Sequence, residues 1–138
     1  MTDIVIIAQL IEHEGMRLKP YKCPAGRWTI GVGRNLSDNG ITEEEALYLL
    51  KHDIERCVVD LQKVFDGKLW QLPEIVQRVL VDMRFNLGGS GFRGFKKLIA
   101  AIKVDDFLAA SAEMKDSLWY NQVGKRGEML VKMMKKAA

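Results

Sequence analysis

Hydrophobic residues recur with helical spacing at the start of the chain. Ile4, Ile7 and Ile11 follow one another at steps of three and four, which predicts an amphipathic helix over residues 1–14. The next position of this apolar stripe is Glu14, and Gly15 directly after it is a typical helix stop. A carboxylate therefore stands where the pattern calls for a core side chain, which makes Glu14 a candidate for chemistry.

The pattern changes to strand spacing over residues 15–42. In the segment RWTIGVG the side chains of Trp28, Ile30 and Val32 are expected on one face of a strand. Thr29, Gly31 and Gly33 would then share the opposite face. The segment CPAG has the composition of a turn, so this region is predicted to be a small antiparallel sheet.

Helical spacing returns at residue 43 and continues to the end of the chain. Thr42 and Glu45 have the spacing of a capping box, which predicts the start of a long helix over residues 43–65. Residues 66–138 read as a series of shorter helices, one of which is expected to stop at Gly88 and Gly89. The fold class is therefore α+β, with a sheet lobe at 15–42, a linking helix at 43–65 and a helical lobe at 66–138.

Composition narrows the class of protein. The 138 residues are 48% hydrophobic and 28% charged with a net charge of +3, which is typical of one globular domain. Cys23 and Cys57 form neither a disulfide framework nor a metal-ligand cluster, so we expect free thiols, no metal and no cofactor. The run IVIIAQLI is too short to span a bilayer and lacks the flanks of a signal peptide, so no stable membrane insertion is expected.

Three residues around the predicted sheet are candidates for chemistry. Glu14 ends the first helix, Cys23 lies at the turn, and Thr29 shares a strand face with Gly31 and Gly33, which leave the backbone open to a ligand. Apolar surroundings would keep a proton on Glu14, as the acid of glycosidic-bond cleavage requires. The pattern alone equally allows a carboxylate paired with a cation, an inert thiol and an ordinary strand threonine.

Three segments carry a resemblance to a known family. EHEGMRLKPYKCPAGRWTIGVGRNL closely resembles the catalytic segment of phage-type lysozymes, the endolysins of glycoside hydrolase family 24. That family has Glu, eight residues, Asp or Cys, five residues and Thr, a spacing that Glu14, Cys23 and Thr29 match at every position. DMRFNLGGSGFRGF and SLWYNQVGKR resemble the substrate-cleft helix of the family and its Trp-Tyr-Asn-Gln segment. The resemblance thus covers nearly the whole chain.

The resemblance implies a role for each matching residue. Glu14 would be the general acid, with Arg126 as its ion-pair partner, and Thr29 would hold the attacking water. Phe85 and Asn86 match residues that face the sugar chain. The resemblance also implies that helix 1–14 packs near the cleft of a single lysozyme-like domain over residues 1–138.

Two positions depart from the better-studied members of the family. Cys23 stands where those members have Asp, and a thiol can replace a carboxylate only when it is ionised. Lys22 and Arg27 could lower its pKa, and the sequence leaves Cys23 open as base, nucleophile or water-positioning group. Asn35 stands where some relatives have a leucine that contacts the sugar, so it is a weaker candidate for substrate binding.

The tryptophans and the end of the chain have simpler interpretations. Trp70 and Trp119 are expected to anchor the core rather than to form sugar platforms. Lys132, Lys135 and Lys136 make the end of the last helix basic, which favours solubility and attraction to an anionic cell wall.

The resemblance also implies a biological role. We expect an endolysin that hydrolyses the β-1,4 bond between N-acetylmuramic acid and N-acetylglucosamine in peptidoglycan and causes host cell lysis. We expect a monomer that binds glycan strands and no nucleic acid. It would stay in the host bacterial cytoplasm until a holin-type partner releases it. Three alternatives remain: a binding module that uses the basic last helix, a lytic transglycosylase, and an inactive wall-binding protein.

Overall fold

The computed structural model describes residues 3–138, in two units. The first unit ends at Tyr48, the second covers Leu49–Ala138, and the division falls inside the long helix α3. A short 3-10 turn, Leu69–Gln71, precedes α4. The elements are α1 (Asp3–Glu14), β1 (Arg17–Lys22), β2 (Trp28–Gly31), β3 (Arg34–Asn35), α2 (Leu36–Asn39), α3 (Glu43–Val64), α4 (Glu74–Arg93), α5 (Lys96–Lys103), α6 (Phe107–Lys115), α7 (Leu118–Val123) and α8 (Lys125–Lys136). The predicted α+β class is confirmed.

The first unit contains the predicted antiparallel sheet, in the order β1-β2-β3. The turn between β1 and β2 closes as expected, because the Cys23 N–H donates to the Arg27 carbonyl at 3.0 Å and the Gly26 N–H donates to the Cys23 carbonyl at 2.8 Å. The strand β2 is shorter than its alternation suggested. It ends at Gly31, and residues 32–33 form the turn into β3, where Gly33 has φ +67°.

Helix α1 reaches Glu14 as predicted, although residues 1–2 of the predicted helix lie outside the described residues. Its apolar stripe is not the core face that the spacing suggested. Ile4 is 82% exposed, Ile7 is 54% exposed, and Ile11 is half-buried. Among the described residues, every buried apolar side chain lies at Cys57 or later. Glu14 therefore does not replace a core side chain.

The start of α3 is fixed by the predicted capping box. The Glu45 N–H donates to Thr42 Oγ1 at 3.1 Å, and the Thr42 N–H donates to Glu45 Oε1 at 2.9 Å. Arg34 of β3 also binds Glu45 through both guanidinium nitrogens, at 2.9 and 2.8 Å. This two-point ion pair ties the last strand of the sheet to the first turn of α3.

The second unit carries the apolar core. Regular helix in α4 breaks at Gly88 (φ 76°, ψ 173°), where the sequence predicted a stop, but helical turns resume as far as Arg93. Helix α7 falls within the predicted series of shorter helices, and Ser117 caps it by accepting the Tyr120 N–H. The largest fully buried side chains are Phe92, Leu61, Leu69, Leu80, Met83, Leu98, Ile102, Met114, Met134, Val76, Val79 and Ser111.

The two tryptophans of this unit have different environments. Trp119 is 4% exposed and packs edge-on against Phe95, which confirms its prediction as a core residue. Trp70 is 60% exposed, so its assignment to the core is wrong. It belongs to a short 3-10 turn, and only its neighbour Leu69 in that turn is fully buried.

No helix within residues 3–138 is both long enough and apolar enough to cross a membrane.

Candidate active site

The carboxylate of Glu14 lies against the turn between β2 and β3. Helix α1 ends here because the Gly15 N–H donates to the Ile11 carbonyl at 2.8 Å and Gly15 then adopts φ +77°. A Cβ atom added to Gly33 would lie 2.8 Å from Glu14 Oε2, so a side chain there would displace the Glu14 carboxylate. The open backbone at Gly33 therefore accommodates Glu14 itself, where the sequence suggested a ligand. The Glu14 side chain is exposed, so the expected apolar surroundings are absent.

Thr29 is the buried polar residue of the sheet. It is 4% exposed, and its hydroxyl donates to the Arg27 carbonyl at 2.9 Å. Thr29 pairs with Tyr21 on β1 and with Asn35 on β3, so these three side chains project from the same face of the sheet. A hydroxyl held in the central strand has a fixed position relative to both neighbouring strands.

The thiol of Cys23 points toward the same region. Its pKa is lowered, chiefly because the backbone N–H of Arg27 donates to the sulfur, with further donation from the Ala25 N–H and the Thr29 hydroxyl, while partial burial opposes the shift. The cause is therefore backbone and hydroxyl donors rather than the predicted cationic side chains. The Arg27 guanidinium instead lies 3.6 Å from the carboxylate of Asp38, and the Lys22 ammonium lies over the Trp28 ring.

Cys23 and Thr29 are thus neighbours, with the Thr29 hydroxyl close enough to the thiol to lower its pKa. The Thr29 hydroxyl has one proton, which reaches the Arg27 carbonyl and can rotate to the sulfur when the thiol ionises. This arrangement stabilises a thiolate beside a hydroxyl that is otherwise buried, and the pair could hold and polarise a water molecule.

Asn35 has a local structural role. Its Oδ1 accepts the Asp38 N–H at 3.0 Å and its Nδ2 donates to Asp38 Oδ2 at 2.9 Å, so Asn35 is the N-cap of α2. Both polar ends of the side chain are used within this loop. A substrate contact through Asn35 stays a prediction, and it would have to displace one of these bonds.

The second unit holds the predicted sugar-facing pair on α4. Phe85 is 44% exposed. Asn86 Oδ1 accepts a hydrogen bond from Trp119 Nε1 at 2.9 Å. An indole nitrogen can only donate, so this bond fixes the orientation of the amide and turns Asn86 Nδ2 away from Trp119. Among residues 3–138 no acceptor is recorded for that Nδ2, and Asn86 is exposed, so this donor is available to a ligand.

Phe85 lines a groove of about 450 Å³ within the second unit, together with Trp70, Asp82 and Arg126. Arg126 Nε donates to Asp82 Oδ1 at 2.7 Å, and both side chains are 41% exposed. The sequence pattern did not predict Asp82 as a partner of Arg126. The signal available was its position three residues before Phe85, which puts both side chains on one face of a helix. Pairing of Arg126 with Glu14 stays a prediction.

The candidate residues therefore fall into two groups. The first unit contains Glu14 against Gly33 and the neighbouring pair of Cys23 and Thr29. The second unit contains the group on and beside α4, namely Phe85, Asn86 and Arg126. Within residues 3–138 no group of three His, Cys, Asp or Glu side chains is arranged to hold a metal ion.

Comparison with known proteins decides the family. The family model described as phage lysozyme matches residues 11–137, from the third turn of α1 to the end of α8. The chain belongs to the phage lysozyme family. This lysozyme is therefore a glycoside hydrolase, and the predicted family and enzyme class are confirmed.

Similar proteins come from phages and from a eukaryote. An endolysin of Acyrthosiphon pisum secondary endosymbiont phage 1 is 35% identical over 105 residues, covering 73% of this chain and 68% of that protein. The pre-baseplate central spike protein Gp5 of Enterobacteria phage T4 is 31% identical over 142 residues, which cover 82% of this lysozyme and 24% of the spike protein. The probable T4-type lysozyme 2 of Dictyostelium discoideum is 24% identical, with 86% of each chain covered.

Proposed function

We propose that this lysozyme is an endolysin that hydrolyses the β-1,4 bond between N-acetylmuramic acid and N-acetylglucosamine in peptidoglycan and so lyses the host cell. The observation that carries the proposal is the placement of Glu14. Its carboxylate lies against Gly33 in the turn between β2 and β3, and the same unit contains the neighbouring Cys23 and Thr29. Glycoside hydrolysis requires an acid that protonates the leaving oxygen and a group that activates water. In this proposal Glu14 is the acid, and Cys23 and Thr29 activate the water.

Glu14 is the general acid of this proposal. It donates its proton to the bridging oxygen as the bond from the anomeric carbon to that oxygen breaks, so the leaving sugar departs with a neutral hydroxyl. The exposed carboxylate can reach a bound polymer, and its seat against Gly33 limits the positions it can take. Holding an acid in position lowers the entropic cost of proton transfer.

Cys23 and Thr29 act on the water. The Thr29 hydroxyl orients a water molecule, and the Cys23 thiolate accepts one of its protons while the water oxygen bonds to the anomeric carbon. The lowered pKa of Cys23 supports this role, because more of the thiol is ionised near neutral pH than in an ordinary cysteine. The thiolate then takes the place of the Asp found at this position in other members of the family.

The residues on α4 bind the glycan strand. The exposed ring of Phe85 offers an apolar surface to a sugar face, and Asn86 Nδ2 offers a donor to a hydroxyl or acetamido oxygen. We also propose that Arg126 is the charge partner of Glu14. We further propose that the protein works as a monomer and reaches the wall through a separate membrane-permeabilising partner of the holin type.

Product analysis distinguishes this proposal from a lytic transglycosylase. Purified peptidoglycan is digested with the protein, and the muropeptides are examined by mass spectrometry with and without borohydride reduction. Hydrolysis adds water, so every new glycan end should be reducible. Anhydro ends, 18 Da lighter than the hydrolysed product because water was not added, would show transglycosylation and overturn the proposal. Absence of any cleavage would favour a protein that only binds the wall.

A further inference from the structure

One carboxylate on α3 binds two arginines on α4. Asp60 Oδ2 accepts from Arg84 Nε at 2.5 Å and from Arg93 Nη1 at 3.1 Å, while Arg93 Nη2 binds Asp60 Oδ1. The side chains of Asp60 and Arg84 are only 16% and 20% exposed, and that of Arg93 is 46% exposed. We call Asp60, Arg84 and Arg93 the clasp. Its ionic hydrogen bonds are less screened by solvent than those of an ordinary surface pair.

The clasp joins the two sides of the break in α4. Arg84 lies four residues before Gly88, and Arg93 lies five residues after it. Gly89 lies directly beneath the clasp, because a Cβ atom there would be 3.1 Å from Arg93 Nη1 and 3.2 Å from Asp60 Oδ2. Arg93 Nη1 also donates to the Gly89 carbonyl at 3.3 Å. A single carboxylate on a neighbouring helix is thus bound to both halves of α4.

The half of α4 before Gly88 carries Arg84 and the two residues proposed to face the sugar. Phe85 follows Arg84 in the chain, and both line a second depression of about 300 Å³ in this unit. Asn86 is already held by Trp119 at one end of its amide. Arg84, Phe85 and Asn86 all lie before Gly88, so the bond from Arg84 to Asp60 holds this end of the first half of α4 against α3.

We propose that Asp60 is a positioning residue for substrate binding. Through Arg84 it fixes the half of α4 that carries Phe85 and Asn86 against α3, and through Arg93 it holds the half after Gly88 beside them, and so sets where the two residues meet the glycan strand. Replacing the carboxylate with a neutral group would leave two guanidinium groups facing each other without a counterion. This inference rests on the proposed function, because it assigns Phe85 and Asn86 to glycan binding.

The test compares Asp60→Asn with Asp66→Asn. Asp66 forms a single exposed ion pair with Lys103 at 3.4 Å, so its replacement removes one acidic charge without touching α4. The apparent KM for purified walls should rise about fivefold to tenfold in Asp60→Asn, while kcat stays within about twofold, because binding rather than proton transfer is affected. Asp66→Asn should match wild type, and Asp60→Glu should recover at least part of the loss. An unchanged KM in folded Asp60→Asn would overturn the proposal.

A second variant covers failure of Asp60→Asn to fold. Arg93→Gln removes the more exposed arm of the clasp and keeps the bond between Asp60 and Arg84. It should show a smaller rise in KM, and the absence of any rise would contradict the clasp.

A measurement without substrate separates this proposal from the proposed function. Amide hydrogen exchange over residues 85–93 should be faster in Asp60→Asn than in Asp66→Asn, whether or not the wild type cleaves peptidoglycan. Unchanged exchange would overturn the clasp. Wild-type protein that releases no reducing ends would overturn the proposed function and leave the exchange result standing.

Discussion

The carboxylate of Glu14 occupies the space that a side chain at residue 33 would fill. Gly33 Cα faces Glu14 so closely that an added Cβ would meet Oε2 at 2.8 Å and the carboxyl carbon at 3.1 Å. The two residues are nineteen positions apart, one at the end of α1 and the other in the turn between β2 and β3. The absence of a side chain at Gly33 therefore provides the space in which the carboxylate of the proposed acid lies.

Gly33→Ala tests this relationship. The new methyl group should push the Glu14 carboxylate from its seat and lower wall-lytic activity at least about tenfold, because misplacing a catalytic group by a fraction of an ångström is costly. Gly67→Ala is the matched control, since Gly67 also has positive φ (+78°) but no atom within 4 Å of an added Cβ. Both variants should lose about 1–2 kcal/mol of stability from the left-handed backbone.

Activity and the free energy of unfolding are measured for both variants. Equal activity losses in Gly33→Ala and Gly67→Ala would show that the effect comes from backbone strain, and that Gly33 does not set the position of Glu14.

The two cysteines should react very differently with an alkylating reagent. Backbone donors led by the Arg27 N–H lower the pKa of the half-buried Cys23, whereas burial raises the pKa of Cys57, which is 3% exposed. Iodoacetamide should therefore modify Cys23 in the folded protein and reach Cys57 only after unfolding. The rate at Cys23 should rise with pH through a midpoint below that of an ordinary thiol. Comparable rates at the two sites by peptide mapping would contradict this account of the thiols.

Substitution of Cys23 tests whether its charge is used. Cys23→Asp should keep substantial activity because it supplies an anion beside Thr29, and Cys23→Ser should lose most of it because a hydroxyl stays neutral. Initial rates on the same purified walls are compared for folded variants. Equal rates for Cys and Ser would rule out the thiolate and leave a water-positioning role.

The features that were predicted correctly from the sequence are local, because they depend on residues close together in the chain. The capping box from Thr42 to Glu45 and the hairpin turn from Cys23 to Gly26 each span four residues. The helix break at Gly88 follows from the freedom of glycine to adopt positive φ. Short-range chemistry of this kind can be interpreted from one sequence.

The features that were not predicted depend on residues far apart in the sequence or on packing in three dimensions. Asp82 meets Arg126 across 44 positions, and Asp60 meets Arg93 across 33. Many acidic residues could have partnered either arginine, so one sequence cannot choose among them. Trp70 was assigned to the core by residue type alone, but its place in a 3-10 turn leaves it exposed.

Glu45 should make the stability of the protein depend on pH in the acid range. Hydrogen bonds from Arg34 and from the Thr42 N–H lower the pKa of Glu45 from 4.5 to about 2. Because the folded state then binds fewer protons than the unfolded state, the contribution of Glu45 is fully present above about pH 4.5 and is lost as the pH falls toward 2. The stability difference between wild type and Glu45→Gln, from denaturant unfolding, should shrink over that interval. Glu43→Gln in the same helical turn serves as control.

A difference between wild type and Glu45→Gln that stays constant from pH 6 to pH 2.5 would show that the ion pair with Arg34 does not stabilise the fold.

Two double-mutant cycles identify the partner of Arg126. The pair of Arg126 and Asp82 should couple by about 0.5 kcal/mol in stability, the range of half-exposed ion pairs. If Arg126 also forms an ion pair with Glu14, the Arg126→Gln substitution should cause a smaller loss of activity in the Glu14→Gln background than in wild type. Unfolding free energies are measured for the first cycle and cleavage rates for the second. Additive effects in the second cycle would remove Arg126 as a partner of the acid.

The most direct test of the central claim is the rate at which Glu14→Gln releases reducing ends from purified peptidoglycan. The amide keeps the shape of the side chain against Gly33 but cannot donate the proton, so the rate should fall at least about 100-fold. The unfolding transition should stay close to that of wild type, because Glu14 is exposed. Near-normal release of reducing ends by the pure, folded variant would contradict the assignment of Glu14 as the general acid.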